Sequence, residues 1–364
     1  MASRTFPEAF STTVLVSGGT GFVATHLILQ LLTAGYKVRT TSRNISSSSS
    51  LLQALQKAKL APEVLSHLSF FETDLTKDEG WTKAIQGCTY IHHVASPFPA
   101  GVPKTDDELI LPAREGTLRV LRAAREAGVK RVIMTSSFAA IGYGHPPQSE
   151  PFTETSWSDV SSKPALPAYH KSKTLAERAA WDFISSHDSE TEAQGKQNLE
   201  LTVLNPVGIF GPIFSAKVNS SVQIIQNLLD GSMPACPQIY FGIVDVRDLA
   251  ALHIRAMLDP AAKNERFIAV SDAGAVSLIS IARMIREGRP DGNLATKVPT
   301  KELWNWVVRF AGLFLKDMGT LVPLLGDVKN ASNEKAKSVL GWKPRTIEET
   351  ILDTVDSLVK FGGV

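Results

Sequence analysis

Short apolar runs rich in β-branched residues alternate, over the first two-thirds of the chain, with segments whose apolar residues recur every three or four positions. The short runs predict strands, and the periodic segments predict helices. Because strands that alternate with helices build right-handed βαβ units, the pattern predicts a doubly wound α/β fold whose parallel sheet is covered on both faces. The predicted strands are 13–18, 37–43, 68–75, 89–96, 131–137 and 199–208, and the predicted helices are 22–35, 49–60, 109–128 and 168–187.

The alternation weakens beyond residue 210, where prolines separate shorter helices and loops. We therefore predict a large domain over residues 1–210, to which the segment 240–260 returns. Residues 211–239 and 261–364 are predicted to form a smaller, discontinuous C-terminal lobe.

Charge and cysteine content narrow the possible partners. The chain of 364 residues has 38 basic and 36 acidic side chains, a formal net charge of +2 and no long basic block. This balance gives no reason to expect a nucleic acid or an acidic membrane surface as a partner. Cys88 and Cys236 lack metal-site spacing and are too few for a disulfide framework, so we expect buried thiols and no metal.

Targeting and membrane signals are weak. The N-terminal residues 1–19 lack an apolar run with a basic flank and a cleavage site, which argues against secretion. The most membrane-like stretch, 303–315, is shorter than the roughly 20 residues that span a bilayer, and it contains Arg309. We therefore expect a cytoplasmic protein that does not span a membrane.

The sequence "SGGTGFVA" (17–24) joins the first predicted strand to the first predicted helix. Gly18 permits a tight turn, Gly21 lets a pyrophosphate approach the backbone, and the N–H groups at the helix start favour phosphate. Such a turn can need glycine for structure alone, yet strand, turn and helix follow here in the order that a dinucleotide site requires. The predicted cofactor contacts on this turn are Gly18, Thr20, Gly21, Phe22 and Val23.

The end of the second predicted strand indicates which dinucleotide is bound. An NAD site usually places an acidic residue there for the ribose 2′-hydroxyl, whereas a 2′-phosphate favours arginine. After Glu8 the chain has no Asp or Glu until Glu63, and this interval contains Arg39 and Arg43. Both arginines are compatible with a solvated surface, but a guanidinium at this position favours NADP. Arg43, which lies beyond the strand end, is the stronger candidate.

Tyr169 and Lys173 lie four residues apart in a predicted helix, and therefore on one helix face. A free phenol, with a pKa of about 10, is a poor acid near neutrality. A nearby ammonium lowers that pKa, so the pair predicts a general acid tuned by a lysine. Lys173 can also hydrogen-bond the nicotinamide ribose.

A third polar group is expected to hold the substrate oxygen. In an open parallel sheet, ligands collect at the carboxyl ends of the strands, and Ser137 lies at such an end. Thr135 belongs to the same strand end and is a predicted cofactor contact. The glycine turn and the segments 93–96 and 205–208 also fall at strand ends.

Taken together, these motifs resemble a known family. The segments "VSGGTGFVATHL", "HHVASPF", "VKRVIMTSS", "YHKSKTLAERAAW", "LTVLNPVGIFGP" and "DVRDLAALHIRAM" are similar to those of extended short-chain dehydrogenases/reductases. The similar branch contains dihydroflavonol 4-reductase, cinnamoyl-CoA reductase and yeast-type NADPH-dependent methylglyoxal (aldehyde, carbonyl) reductases. The resemblance covers residues 12–275 and 333–355, whereas 280–330, which helps build the substrate pocket in this family, matches less clearly.

The resemblance implies a Rossmann domain, a substrate-binding C-terminal lobe and hydride transfer from NADPH to a ketone or aldehyde. It makes Tyr169 the general acid, Lys173 its partner and Ser137, rather than Ser136, the hydroxyl that orients the carbonyl. A helix equivalent to 113–128 can pair across a dimer in this family, so both a monomer and a homodimer remain open. The further cofactor contacts that it implies are Asp74 and Leu75 at the adenine, Val94, Ala95 and Ser96 along the cofactor, and Pro206, Val207 and Gly208 beside the nicotinamide.

The substrate and two rival functions remain open. Phe98 and Phe138 can wall an apolar substrate pocket, although each is equally well explained as core. An epimerase/dehydratase or a hydroxysteroid dehydrogenase can use the same scaffold, but the second strand without acidic residues argues against an NAD-retaining epimerase. A non-catalytic NADP sensor is a further alternative, and the retained serine, tyrosine and lysine argue against it.

Overall fold

A parallel sheet of seven strands forms the centre of the part of the chain that the computed structural model describes, namely residues 9–96, 105–193, 198–215, 218–290 and 293–364. The order of its strands is β10-β6-β5-β4-β1-β2-β3. The described strands are β1 (Thr13–Val16), β2 (Lys37–Ser42), β3 (Leu68–Glu72), β4 (Tyr90–His93), β5 (Arg131–Thr135), β6 (Glu200–Pro206), β7 (Gly208–Phe210), β8 (Tyr240–Phe241), β9 (Ile243–Asp245), β10 (Glu265–Ala269) and β11 (Val276–Ser277).

Helices cover the sheet and build the lobe. Four of them lie close to the predicted helices 22–35, 49–60, 109–128 and 168–187, and short helices dominate the C-terminal third. The described helices are α1 (Phe22–Thr33), α2 (Ser48–Lys57), α3 (Pro62–Leu65), α4 (Trp81–Ile85), α5 (Asp107–Glu126), α6 (Ala168–Ala193), α7 (Ser220–Leu229), α8 (Val246–Leu258), α9 (Leu278–Gly288), α10 (Asn293–Lys297), α11 (Asn305–Ala311), α12 (Lys316–Leu321), α13 (Glu334–Leu340) and α14 (Ile347–Lys360).

The strand order reverses beside β1. The chain runs from β1 to β2 and β3 on one side and then crosses to β4, β5 and β6 on the other. All pairings in this sheet are parallel, so the carboxyl ends of β1 and β4 meet at a crevice. This arrangement confirms the predicted doubly wound α/β fold, and it predicts a ligand site at that crevice.

Both faces of the sheet are covered by apolar layers. On one face, α1 and α8 pack together over Val14 and Val16, and on the other α5 and α6 pack over Leu15 and Val132. All four of these strand residues are fully buried. Burial on both faces explains why the predicted strands are apolar throughout.

The seventh strand, β10, was not among the predicted strands. It pairs in parallel with β6 along the sheet edge, so the sheet extends beyond the return segment 240–260. The division into a large domain and a lobe stays a prediction. A separate apolar cluster contains buried residues of α7, α9 and α14, within the ranges that we assigned to the lobe.

Side-chain caps begin several of the described helices, but not α1. The side chains of Asn219, Ser277 and Thr346 cap α7, α9 and α14 by accepting hydrogen bonds from backbone N–H groups of the first turn. Helix α1 begins after Gly21, which has no side chain to offer. Among the described residues, no helix is both long enough and apolar enough to cross a bilayer.

Candidate active site

The turn between β1 and α1 brings backbone to the crevice. Gly18 has a φ of +72°, which favours glycine, and a Cβ there would lie 3.0 Å from the Cβ of Ala95. A Cβ on Gly21 would meet only the carbonyl oxygen of Gly18, at 3.1 Å. The turn is therefore close-packed on the β4 side and open at Gly21 and the exposed Thr20. Phe22 and Val23 open the helix behind it.

Ser17 joins this turn to the loop after β4. Its Oγ accepts hydrogen bonds from the backbone N–H groups of Val94 and Ala95, at 3.0 and 2.9 Å. The same oxygen lies 3.1 Å from Nδ1 of His93. Burial, followed by the nearby Lys173 cation, lowers the pKa of His93 to about 3, so this imidazole is neutral at pH 7. The predicted cofactor segment 94–96 is thus held against the glycine turn.

The two arginines of the second strand have different surroundings. Nη1 of Arg39 donates to the carbonyl oxygens of Ala84 and Gln86, at 3.0 and 2.7 Å, and the guanidinium stacks on Phe71. This engagement at the end of α4 argues against the predicted contact of Arg39 with a cofactor. Arg43 lies just beyond β2 and is exposed.

Asp74 and Leu75, predicted at the adenine, lie in the turn after β3. Oδ1 of Asp74 accepts from the backbone N–H and the hydroxyl of Thr76, both at 2.8 Å. These hydrogen bonds, with a smaller contribution from Arg43, hold the pKa of Asp74 below its usual range. The backbone oxygen of Leu75 accepts from Arg119. A carboxylate and Arg43 therefore border the same edge of the crevice.

The strand end after β5 contains three adjacent hydroxyl groups with different partners. Oγ1 of Thr135 lies 3.0 Å from Nε2 of His253 on α8, and Oγ of Ser136 donates to Glu177 on α6 at 2.5 Å. Ser137 is less buried than Ser136, and its Oγ accepts from the N–H of Ala139 at 3.1 Å. Of the two serines, Ser136 is therefore the one whose hydroxyl is held by α6 and Ser137 is the less buried one, and the Thr135 side chain is directed toward α8.

Helix α6 carries the predicted acid and its partner. Lys173 is 8% exposed, and its Nζ donates to Oγ of Ser96 at 3.1 Å. Tyr169 is half-buried one turn earlier. The hydroxyl of Thr174 donates to the carbonyl of His170 at 2.8 Å and lies 3.5 Å from the carbonyl oxygen of Ala139, in the turn after Ser137. The structure thus brings Lys173, the β4 loop and the Ser137 turn into one neighbourhood.

The segment 206–208 closes the crevice beyond β6. The N–H of Val207 donates to the carbonyl of Ala269, and the N–H of Gly208 donates to the carbonyl of Gly242. A Cβ on Gly208 would lie 3.0 Å from that Gly242 oxygen. Pro206 is buried at the end of the strand. The backbone here is fixed by neighbouring strands, which suits a wall of the site.

The predicted pocket aromatics have different outcomes. Phe98 lies outside the described residues. Phe138 is 6% exposed and packs edge-on against Tyr143 and Phe152, at ring-centroid distances of 6.1 and 5.9 Å. The ring of Phe138 therefore packs within an apolar cluster, which favours core packing over a pocket wall, the two roles that the sequence left open.

Sequence reasoning missed Tyr143. Its ring lies 4.1 Å from that of His170, the neighbour of Tyr169, and Lys329 lies 5.3 Å from its centre. Burial raises the pKa of Tyr143 to about 12, so it remains a neutral phenol. A tyrosine in the irregular segment 141–151 offers no periodic signal by which to find it.

Two adjacent histidines on β4, His92 and His93, are a further pair of possible metal ligands. These neighbours on β4 point to opposite faces, His92 toward His253 and His93 toward Ser17. Within the described ranges, no three His, Cys, Asp or Glu side chains are placed to hold a metal ion.

Known proteins share this fold and these motifs. Residues 14–270 match the model of the NAD dependent epimerase/dehydratase family. The chain is 33% identical over 350 residues to a cinnamoyl-CoA reductase of Medicago truncatula, and the match covers 95% of each chain. It is 32% identical over 375 residues to a putative NADPH-dependent methylglyoxal reductase of Candida albicans, covering 96% of this chain and 99% of that one.

A solved structure agrees with these matches. The yeast methylglyoxal/isovaleraldehyde reductase Gre2 complexed with NADPH superposes with a TM-score of 0.77 at 27% identity, covering 97% of this chain and 100% of that one. Because the family model matches most of the chain and the relatives match nearly all of it, the predicted resemblance to extended short-chain dehydrogenases/reductases is confirmed. The chain belongs to the NAD dependent epimerase/dehydratase family.

Proposed function

We propose that the chain is an NADPH-dependent reductase of aldehyde and ketone carbonyls. One observation carries the proposal: Nζ of Lys173, one turn beyond Tyr169, donates to Ser96 in the loop that packs on the glycine turn. A single buried cation therefore joins the acid-bearing helix to the loop predicted to line the cofactor. A helix that presented Tyr169 and Lys173 to solvent would have no such contact.

The residues of the crevice fit a dinucleotide. The backbone at Gly21 is open to approach, and α1 begins there without a capping side chain, so its first-turn N–H groups are available to phosphate. Arg43 beyond β2 is the candidate for the 2′-phosphate, and Asp74 lies across from it. Ser96 and Lys173 would hold the nicotinamide ribose. When bound, NADPH supplies a hydride.

The protein residues would supply the proton and hold the oxygen. Lys173, one turn beyond Tyr169 on α6, would place a positive charge beside the phenol as it gives up its proton. Ser137 would hold the substrate oxygen through its hydroxyl. The carbonyl oxygen receives the proton from the Tyr169 hydroxyl as the carbonyl carbon is reduced, and Lys173 stabilises the phenolate that remains.

The relatives support this reaction class. One is named as a cinnamoyl-CoA reductase, and two are named as methylglyoxal reductases, one of them with isovaleraldehyde as well. All three names describe reduction of a carbonyl group in a small molecule. We therefore propose a small carbonyl compound as the substrate.

The test is NADPH oxidation against a panel of aldehydes, diketones, β-keto esters and aryl ketones, with NADH in parallel. We expect turnover that prefers NADPH and disappears in Tyr169→Phe. Full activity in Tyr169→Phe would exclude the proposed proton donor. An absence of turnover with every carbonyl, together with NADPH binding, would overturn the proposed activity in favour of a sensor.

A further inference from the structure

Glu177 is a fully buried carboxylate on the helix that carries the predicted acid. It lies four residues beyond Lys173 and eight beyond Tyr169, so the three side chains follow one face of α6. A charge in the interior is costly unless it is paired and hydrogen-bonded. Its partners therefore indicate what this position is used for.

The partners of Glu177 come from three strands of the central sheet. Oε2 accepts from Oγ of Ser136 at 2.5 Å and from Nδ2 of Asn205 at 2.7 Å. Oε1 accepts from Nε of Arg266 at 2.6 Å. These residues lie at the end of β5, on β6 and on β10, so one carboxylate joins α6 to three neighbouring strands.

The cation of this cluster is itself held in place. Arg266 is 8% exposed, and its Nη1 donates to the carbonyl oxygens of Glu154 and Ser156, at 2.7 and 3.0 Å. Its guanidinium lies 3.8 Å from the centre of the Trp157 ring. The position of Glu177 is therefore fixed by a cation that has further partners of its own.

Two of these contacts lead to the predicted catalytic serine. Ser136 precedes Ser137 in the chain, and Asn205 donates to the backbone oxygen of Ser137 at 3.2 Å as well as to Glu177. A shift of Glu177 would therefore displace Ser137 relative to Tyr169 and Lys173. Reaction rates are sensitive to such shifts, because a misplacement of about 1 Å can cost about 100-fold.

We propose that Glu177 is a positioning residue, which holds the Tyr169 and Lys173 face of α6 in one fixed relation to Ser137 at the end of β5. The inference rests on the proposed carbonyl reduction. It concerns a residue that touches neither substrate nor cofactor, and its effect on the reaction passes through Ser136 and Asn205.

The first test removes one hydroxyl. Ser136→Ala deletes the hydrogen bond from β5 to Glu177 with little change in volume. Positioning predicts a kcat about tenfold lower, with the KM for the carbonyl substrate within about threefold and the Kd for NADPH within about twofold. The matched control is Ser271→Ala, because Ser271 is 4% exposed and its Oγ has no hydrogen-bond partner in the described structure. A kcat of Ser136→Ala equal to that of the control would overturn the proposal.

The second test separates positioning from charge pairing. Glu177→Met leaves Arg266 buried without a counterion, so it is expected to lower Tm strongly. The double variant Glu177→Met/Arg266→Met removes both charges and is expected to regain most of that Tm. Positioning predicts that its kcat stays at least about tenfold low, because Ser136 and Asn205 still lack their common acceptor. Recovery of kcat together with Tm would show a structural role only and overturn the inference.

Two further controls are needed, namely the turnover of the wild type and a variant that removes an exposed charge from the same helix. Asp182→Asn, on the exposed face of α6, is expected to match the wild type in kcat and Tm. If Glu177→Met fails to fold, the double variant and Ser136→Ala still test whether Glu177 is a positioning residue. A wild type without carbonyl turnover would overturn the proposed function and this inference with it, whereas an active wild type with an active double variant would overturn the inference alone.

Discussion

The crevice at the sheet and the segment 303–315 of the lobe differ in the solvent exposure of their apolar residues. In β1, Val14, Leu15 and Val16 are fully buried, and the polar groups around the crevice have partners on several strands. In and around α11, Trp304 is 67% exposed and Trp306 is 62% exposed. Residues that must hold a reaction geometry are fixed by contacts with several neighbours, whereas the exposed residues of the lobe surface need no such fixed position. Substitutions at the crevice should therefore change chemistry, and those of the exposed Trp304 and Trp306 rings should not.

The largest effect is expected at the proton donor. Tyr169→Phe keeps the ring and removes the hydroxyl, so kcat should fall by about 10³-fold, within the range for loss of a general acid. NADPH affinity, measured by fluorescence titration, should stay within about threefold. A comparable loss of NADPH affinity would place Tyr169 in cofactor binding and weaken its role as acid.

Lys173→Met is expected to change both quantities. The ammonium would stabilise the phenolate left after proton transfer, and it bonds Ser96, so its loss should lower kcat by about 100-fold and weaken NADPH binding by about tenfold. Stopped-flow reduction and fluorescence titration measure the two effects separately. Unchanged NADPH binding would remove Lys173 from the proposed cofactor contacts.

The two arginines of the β2 region give a matched pair. Arg43→Ala should weaken NADPH binding by about tenfold, leave NADH binding unchanged and keep Tm, because the side chain is exposed. Arg39→Ala should instead lower Tm and leave the NADPH-to-NADH ratio unchanged, because Arg39 bonds the end of α4. The opposite pattern would indicate that Arg39, and not Arg43, binds the 2′-phosphate.

A lower pH should destabilise the sheet, which contains the buried histidines, more than the lobe. Burial lowers the pKa of His253 to about 3 and, with Lys173, that of His93 to about 3, while residues 261–364 contain no histidine. Below the unfolded pKa of about 6.5, the unfolded chain takes up protons that the folded chain does not. Each of these histidines should then cost about 1.4 kcal/mol per pH unit of unfolding free energy between pH 6.5 and 3. Urea unfolding across this range measures the slope, and His253→Gln should reduce it.

The smallest effects are expected on the lobe surface. Trp304→Ser and Trp306→Ser should each change the unfolding free energy by no more than about 0.5 kcal/mol, because both rings are largely exposed. The kcat for a small aldehyde should stay within about twofold. A large fall in kcat would show that this segment contributes to the site and would break the contrast between the two regions.

The sequence predicted the parts of the fold that periodicity controls. Six strands and four helices were found, the strands because burial on both faces makes them apolar throughout. The short helices α3 and α4 were not predicted. Strand β10 was missed, since Glu265 and Arg266 place two charges at the start of the short apolar run "FIAV", and the partners of both charges lie far away in the chain. Short helices such as α11 give too few turns for a periodic signal.

The sequence predicts a site residue where the local structure requires one residue type. It does not predict a residue whose role depends on contacts with residues distant in the chain. Gly18, Tyr169 and Lys173 follow from spacing, because the turn and the helix face fix what they can do. The packing of Phe138 and the engagement of Arg39 depend on neighbours distant in sequence. Glu177 had a signal in its four-residue spacing from Lys173, but only the structure gives it partners.

Strand β10 has a consequence for the order in which a newly synthesised chain can complete its active centre. Tyr169, Lys173 and Glu177 leave the ribosome well before Arg266, the cation that neutralises Glu177. Until then the nascent chain has a carboxylate that is costly to bury, so α6 cannot settle on the sheet in its final position. The catalytic helix therefore finishes docking late, when the last sheet strand arrives, and a ribosome-bound chain that ends at residue 260 should remain inactive.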